Sequence, residues 1–393
     1  MTEVKIMAHN NKKEPLFHIV KRDDLSAAKT WGIRGIGILA GFIFICIMSA
    51  IELKMSPFKV IGDMFSGAFG SGFLTLVTLR SAAVFIILSM ALAPAFRMKF
   101  WNIGAEGQAL VAGLACAACM FKLGGKIPDG WLIFISLVAS LAAGIAWAVI
   151  PAVFKAFWNT NETLFTLMMN YVATQLVLYC VKVWVTNGSG TLPPMADGNL
   201  PQIGGGDYWL GIIFSVVLTA AMYLYLRFSK HGYEISVVGE SVKTAKYIGV
   251  NVKKVIIRTL VLSGAICGMA GFLIVAGMDH TITSTTINGR GFTAVLIAWL
   301  AHLNPIAIAG MSLLVAFLSR GTKELMTRAQ ITNDFYAQVI TGIMFFIILA
   351  CDFFIRYKIV FKKKRNPENE GSDAQKGKDE LSETTTAAVK EGN

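Results

Sequence analysis

The chain has 393 residues, of which 55% are hydrophobic and 15% charged, and its 36 Lys and Arg against 24 Asp and Glu give a net charge of +12. A mean hydropathy of +0.59 excludes a soluble or nucleic-acid-binding protein despite that basic balance. Apolar runs fill nearly everything from Trp31 to Ile355, interrupted by one polar, basic stretch from Lys230 to Lys254.

A helix of about 20 apolar residues matches the roughly 30 Å hydrocarbon layer, because each residue rises about 1.5 Å and every backbone polar group must be bonded within the segment. In chain order such runs cover Trp31 to Ile51, Phe73 to Phe96, Ile103 to Phe121, Trp131 to Ala152, Leu164 to Val185, Tyr208 to Phe228 and Arg258 to Gly277. Phe292 to Leu303, Ile306 to Leu318 and Phe335 to Ile355 follow. That predicts an all-α, polytopic membrane protein of about ten helices. The runs on either side of Asn304-Pro305 are too short for a full crossing and read as broken or re-entrant helices, or as one kinked hairpin. The first run follows a polar segment, 1–30, with no small-residue cleavage pattern, so it reads as a retained span.

Charge placement predicts the orientation. Basic residues gather in the amino-terminal segment (Lys12, Lys13, Lys21, Arg22, Lys29), in the central loop 229–257 and its flanks (Arg227, Lys230, Lys243, Lys246, Lys253, Lys254, Arg258) and after the last run (Arg356, Lys358, Lys362 to Arg365). Short basic loops stay cytoplasmic, so both termini and the central loop are expected inside. The segment Asn187 to Asp207 has no Lys or Arg and runs into Tyr208-Trp209, which suits an outside loop with an aromatic belt. Arg320, Lys323 and Arg328 fall on the wrong side by this count. Residues 358–393 are too polar for a core and read as a disordered tail, leaving 31–357 as the transmembrane domain.

Catalytic signatures are missing from the sequence. Gly125-Lys126 is followed by Ile127 and lacks the glycine of a phosphate-cradling loop, and the five histidines make no His-Glu-x-x-His site. Gly204-Gly205-Gly206-Asp207 has the look of an intramembrane aspartyl protease motif but no second aspartate partner to share a proton. All six cysteines lie in apolar runs as small hydrophobes, including Cys116-Ala-Ala-Cys119. Gly264-Ala-Ile-Cys-Gly268 has the spacing that lets helix backbones approach closely. No enzyme activity, catalytic residue, metal or cofactor is expected.

What remains is polar chemistry inside the membrane. Asn102, Glu106 and Gln108 open the third run, and Glu162 just precedes the fifth, in which Asn170 and Tyr171 lie; such groups are costly in lipid unless they face a cavity or a partner. They read either as a pathway lining for a neutral, hydrogen-bonding solute or as interhelical glue worth roughly 0.6 to 2 kcal/mol per contact.

Phe100-Trp101-Asn102-Ile103-Gly104-Ala105-Glu106-Gly107-Gln108, then Asn161-Glu162 through Asn170-Tyr171, His231-Gly232-Tyr233-Glu234 through Gly239-Glu240, Ala245 to Gly249-Val250 and Ser263-Gly264 to Gly271 occur in this order. Across about residues 70 to 350 the sequence resembles permease subunits of bacterial ABC importers of the ribose and branched-chain amino acid type, in the nucleoside and simple-sugar branch. Ser236, Ser241 and Ala298-Trp299-Leu300-Ala301-His302 depart from that pattern, where Arg, Asn and a small Ala-Leu-Leu-Gly stretch are usual. The resemblance implies a multi-pass protein of the cytoplasmic membrane that imports a nucleoside or simple sugar. Its implied partners are a second permease chain, identical or related, a cytoplasmic ATP-binding subunit and an extracellular substrate-binding lipoprotein, with membrane lipid around it and no nucleic acid. Gly239, Glu240, Ala245 and Gly249 would belong to a short coupling helix on the ATPase, the two glycines permitting tight turns. An amphipathic helix resting on anionic lipid is the other physical reading of that stretch. Two competing functions are an ion- or proton-coupled secondary transporter using Glu106, and a non-catalytic membrane receptor or scaffold.

Overall fold

The computed structural model describes residues 17–21, 27–185, 191–202, 206, 208–330 and 335–361. Two units are distinguished, one of residues 39–348 and one of the chain ends, residues 1–38 with 349–393. In the latter, β1 (Phe17–Lys21) pairs antiparallel with β2 (Tyr357–Phe361), Phe17 opposite Phe361. This ribbon takes in 358–361, read from the sequence as the start of the tail. The rest of that tail, from 362, and residues 1–16 and 22–26 of the amino-terminal segment lie outside the described residues, as does most of Gly204 to Asp207.

The helices are α1 (Ala27–Glu52), α2 (Pro57–Phe69), α3 (Gly72–Arg97), α4 (Ala105–Leu123), α5 (Asp129–Trp158), α6 (Glu162–Trp184), α7 (Trp209–Phe228), α8 (Lys230–Glu240), α9 (Val242–Tyr247), α10 (Val252–Ile274), α11 (Arg290–Leu300), α12 (Pro305–Arg328) and α13 (Phe335–Arg356); α10 continues as a π-helical turn, Val275–Asp279. Eight of them are long and apolar enough to cross a membrane, and α11 and α13 are further apolar helices. The polytopic all-α expectation therefore holds for the membrane part.

Two expectations need correction. The run Ile306 to Leu318 is no half-span: α12 continues to Arg328 over 24 residues. Its charged last turns are held by side-chain bonds, Arg328 pairing with Glu324 at 3.0 Å and with Asp63 of α2. One of the three misplaced basic residues is thus neutralised by acids beside it, so counting it as a free loop cation overstated the charge. Helix α2 was absent from the sequence reading because its 13 residues carry Lys59 and Asp63, too short and too polar to register as a crossing. It turns Val60, Met64, Gly67 and Ala68 inward, with Phe65 and Phe69 ringed by Phe42 of α1 and Phe317 of α12.

Helix α10 lies at the centre, packed on α5, α4 and α3. The small-residue spacing acts as expected here: a Cβ on Gly264 would lie 2.5 Å from the Gly144 carbonyl oxygen, and one on Gly268 would lie 2.8 Å from that of Ser140, so the two backbones are in contact. Gly144 is the midpoint of the 30-residue α5, about 20 Å from either end. Ser263, next to Gly264, therefore marks mid-depth.

Substituting a branched side chain into this seam should separate the helices and cost about 1–3 kcal/mol. Gly268→Val is expected to lower the melting temperature in detergent by several degrees. Gly310→Val, at a position where an added Cβ meets nothing within 4 Å, should stay near wild type. Equal melting of the two variants would contradict the packing account.

Candidate functional site

The chain leaves α3 at Arg97 and runs non-helically through Trp101, Asn102 and Ile103 before α4 starts at Ala105. Asn102 is fully buried and organises this passage. Its Nδ2 donates to Ser263 Oγ of α10 at 3.2 Å, and its Oδ1 accepts from Gly104 N at 2.9 Å and from Gln108 Nε2 at 3.3 Å. Helix α6 supplies the other side: Asn170 Oδ1 accepts from Gly107 N at 2.9 Å while its Nδ2 donates to the Ile103 carbonyl at 3.0 Å. Thr166 Oγ1 accepts from Ile103 N at 3.1 Å and donates to the Glu162 carbonyl at 2.8 Å. Because Asn102 reaches Ser263, this cluster sits near mid-depth, where groups left without partners would each cost several kcal/mol.

Glu106, in the first turn of α4, works at the longest range. Its Oε1 accepts from Gly289 N at 2.8 Å and its Oε2 from Gly291 N at 2.7 Å, across the start of α11. An anion at a helix amino terminus meets the unpaired N–H groups and the positive end of the dipole. With 11 residues, α11 spans only about 16 Å, so it begins inside the membrane and needs such an anchor.

Asn102, Glu106, Gln108 and Asn170 are thus brought together. Glu162 lies a turn before Thr166 and pairs with Lys155 of α5 at 2.8 Å, whereas Tyr171 is exposed. Trp299, part of the departure at Ala298 to His302, stands with its ring centroid 5.1 Å from that of Trp101, both partly exposed beside the cluster. Sequence reasoning missed Thr166, Ser263, Gly289 and Gly291, whose roles depend on contacts far along the chain. It also missed Arg80 and Arg290, although Arg80 is the single charge in the run Phe73 to Phe96, a signal that could have marked it.

The polar stretch between α7 and α10 forms α8 and α9. A buried cluster of Ala95, Met98, Phe100, Ala152, Ile235, Val238, Ala245, Val252, Val255 and Leu260 seats both on the ends of α3, α5 and α10. Ala245 is the fully buried peg of α9; Tyr247 beside it is 93% exposed, with Val242 and Ile248 also bare. Gly249 has φ +86°, with its N–H on the Lys246 carbonyl at 3.1 Å, a left-handed turn that glycine adopts without strain. Gly239 serves differently from the tight entry expected: it lies within α8, and a Cβ there would overlap the Arg97 carbonyl oxygen. Glu240, next to it, is exposed. Ser241 caps α9, its Oγ accepting from Thr244 N at 3.2 Å, the task an asparagine at this place would also perform. His231 Nδ1 bonds Tyr225 Oη, and burial, with the Arg258 charge, holds its pKa below the ordinary imidazole value, so the ring is neutral at pH 7.

Residues 74–349, well over half of the chain, match the family described as branched-chain amino acid transport system / permease component. A glucose ABC transporter permease protein of Haloferax volcanii is 25% identical over 347 residues, covering 84% of this chain and 90% of its own. A guanosine ABC transporter permease protein of Bacillus subtilis is 28% identical over 312 residues (77% and 88%), and a nucleoside ABC transporter permease protein of Lactococcus lactis is 24% identical over 334 (79% and 89%).

Removing the Glu106 carboxylate tests the anchor. Glu106→Leu leaves two N–H groups without acceptors at about 1–3 kcal/mol each, so amide exchange at Gly289 and Gly291 should accelerate at least about tenfold. Glu106→Gln, which keeps one acceptor oxygen, should fall between. Unchanged exchange in Glu106→Leu would mean that the start of α11 is held by something else.

Proposed function

The chain belongs to the branched-chain amino acid transport system permease family and is a multi-pass permease subunit of an ATP-binding cassette importer in the cell membrane; we propose that the solute it moves is an uncharged nucleoside or simple sugar. The observation that carries the solute reading is the mid-depth cluster, whose members Asn102, Gln108 and Asn170 are uncharged and whose one acid, Glu106, is engaged on both oxygens by main-chain donors. Such a site offers a cation no free carboxylate. Relatives named for glucose, guanosine and nucleosides agree with it.

In this reading Asn102, Glu106, Gln108, Glu162, Asn170 and Tyr171 belong to the pathway wall, the buried members holding its shape while Tyr171 stays bare. A proton-coupled carrier would need Glu106 to release and rebind a proton. Both its oxygens are instead engaged by the main-chain N–H groups of Gly289 and Gly291, which supports the anchoring role.

ATP is hydrolysed by a separate cytoplasmic subunit seated on α8 and α9, with both chain termini on the same side. Support comes from Val242, Tyr247 and Ile248, three apolar side chains exposed close together on an element outside the candidate spans. Gly239, Ala245 and Gly249 fix that surface against the membrane helices, and Glu240 lies at its edge. A second permease chain completes the pore, supported by the two guanosine permease proteins of Bacillus subtilis, both of which this chain resembles. A substrate-binding lipoprotein delivers solute from outside.

Cells with and without the gene, given labelled guanosine, uridine, ribose and glucose, should differ in uptake of at least one; no difference for any would contradict the solute reading. Gly249→Val forces a branched residue into a positive-φ turn while meeting no neighbour within 4 Å, so co-purification of the ATPase should fall severalfold with membrane insertion intact. A lipid-resting loop would instead respond to Lys243→Gln, Lys246→Gln and Lys253→Gln together, at about 1 kcal/mol per charge.

A further inference from the structure

We propose that the non-helical segment from His280 to Asn288 is the solute-binding station of the pathway, a hydroxyl-rich wall facing water that descends from the end of α10 toward mid-depth and holds an uncharged polyhydroxylated solute; the proposal rests on the transport reading above. The sequence from 279 is Asp-His-Thr-Ile-Thr-Ser-Thr-Thr-Ile-Asn-Gly-Arg, with five side-chain hydroxyls in twelve residues. No part of 280–289 is helical. Its lower end is bonded to Glu106, within one turn of the Asn102 to Ser263 contact that marks mid-depth.

Irregular backbone at that depth persists only where protein buries it or where it lines a water-filled cavity. Burial by this chain does not account for all of it: Thr285 and Asn288 are exposed, and an amide left bare at depth needs water. Ile282, Thr286 and Ile287 turn inward as the fixed side of the wall and are buried.

The segment is clamped at both ends. Above, the 192–200 loop bonds to it through Met195 N on the His280 carbonyl at 2.8 Å, and Thr281 Oγ1 donates to the Leu192 carbonyl at 2.6 Å. Below, the Glu106 carboxylate holds Gly289 and Gly291. Between the clamps the hydroxyls of Thr283, Thr285 and Thr286 lie 3.2 to 3.3 Å apart in a chain, Thr286 also accepting from Thr283 N. Such a chain can reorient to donate or accept, which suits a ring of solute hydroxyls.

Two buried polar atoms near the lower clamp have no partner among the described residues, Arg290 Nη1 and Gln108 Oε1. One is a donor and the other an acceptor, the complement a hydroxyl satisfies.

The test uses the assembled transporter in membranes. Thr285→Cys and Asn288→Cys should react with a charged, membrane-impermeant methanethiosulfonate at rates within about tenfold of the exposed loop variant Lys126→Cys, while wild type with its six native cysteines stays unlabelled. Whichever of guanosine, uridine, ribose or glucose is transported should slow that labelling. Thr285→Val with Asn288→Leu should raise KM for it about tenfold, the loss of one or two hydrogen bonds, with maximal rate and ATPase activity kept. Absence of labelling at both positions while Lys126→Cys reacts would overturn the proposal, as would a KM within twofold of wild type. Should none of the four solutes be taken up, the solute reading fails on its own, and labelling still decides whether the segment is wet.

Discussion

A carboxylate that anchors a helix beginning inside the membrane is the constraint on which the rest of this architecture depends. Glu106 can reach Gly289 and Gly291 only if α4 starts at mid-depth, and α4 can start there only because Asn102, Thr166 and Asn170 satisfy the non-helical passage before it. That passage in turn needs α10 close at hand to offer Ser263, which the Gly264 and Gly268 contact with α5 provides. Each step removes an unpaired backbone group from a medium with no water to satisfy it. The half-length helix α11 is the product.

The same economy explains why a cluster of amides and one acid need not be a proton relay. Each group has a main-chain or side-chain partner, save for the Gln108 and Arg290 atoms left over beside the 280–288 segment. Buried and exposed residues alternate closely here: Asn102, Gln108 and Asn170 are buried, whereas Thr285, Asn288 and Tyr171 are exposed. At the other end of α10, the buried peg Ala245 and the bare Tyr247 repeat the alternation on α9.

Much of this was legible in the sequence, for physical reasons that differ by element. Crossing helices are set by hydrophobic length, so α3, α5, α6, α7 and α10 fall where their apolar runs lie, and the Gly264 to Gly268 spacing announced its close contact. Asn102, Glu106 and Asn170 were visible as polar groups where lipid tolerates few. Glu106's partners were not, because 183 and 185 residues separate them and no local pattern encodes such a bond. Helix α2 escaped because it is short and carries Lys59 and Asp63, and the last turns of α12 because the partner of Arg328, Asp63, lies 265 residues away. The threonine-rich segment after Asp279 fell between the runs ending at Gly277 and starting at Phe292, where hydropathy carries no signal.

The most direct measurement is ATP-driven uptake into proteoliposomes holding the assembled transporter, with ATP clamped and an uncoupler added. An anchoring Glu106 predicts that wild-type uptake is unaffected by the uncoupler and that Glu106→Gln, which keeps one acceptor oxygen, retains part of it. Collapse of wild-type uptake on dissipating the proton gradient, with Glu106→Gln inactive, would contradict the account and make that carboxylate a proton carrier.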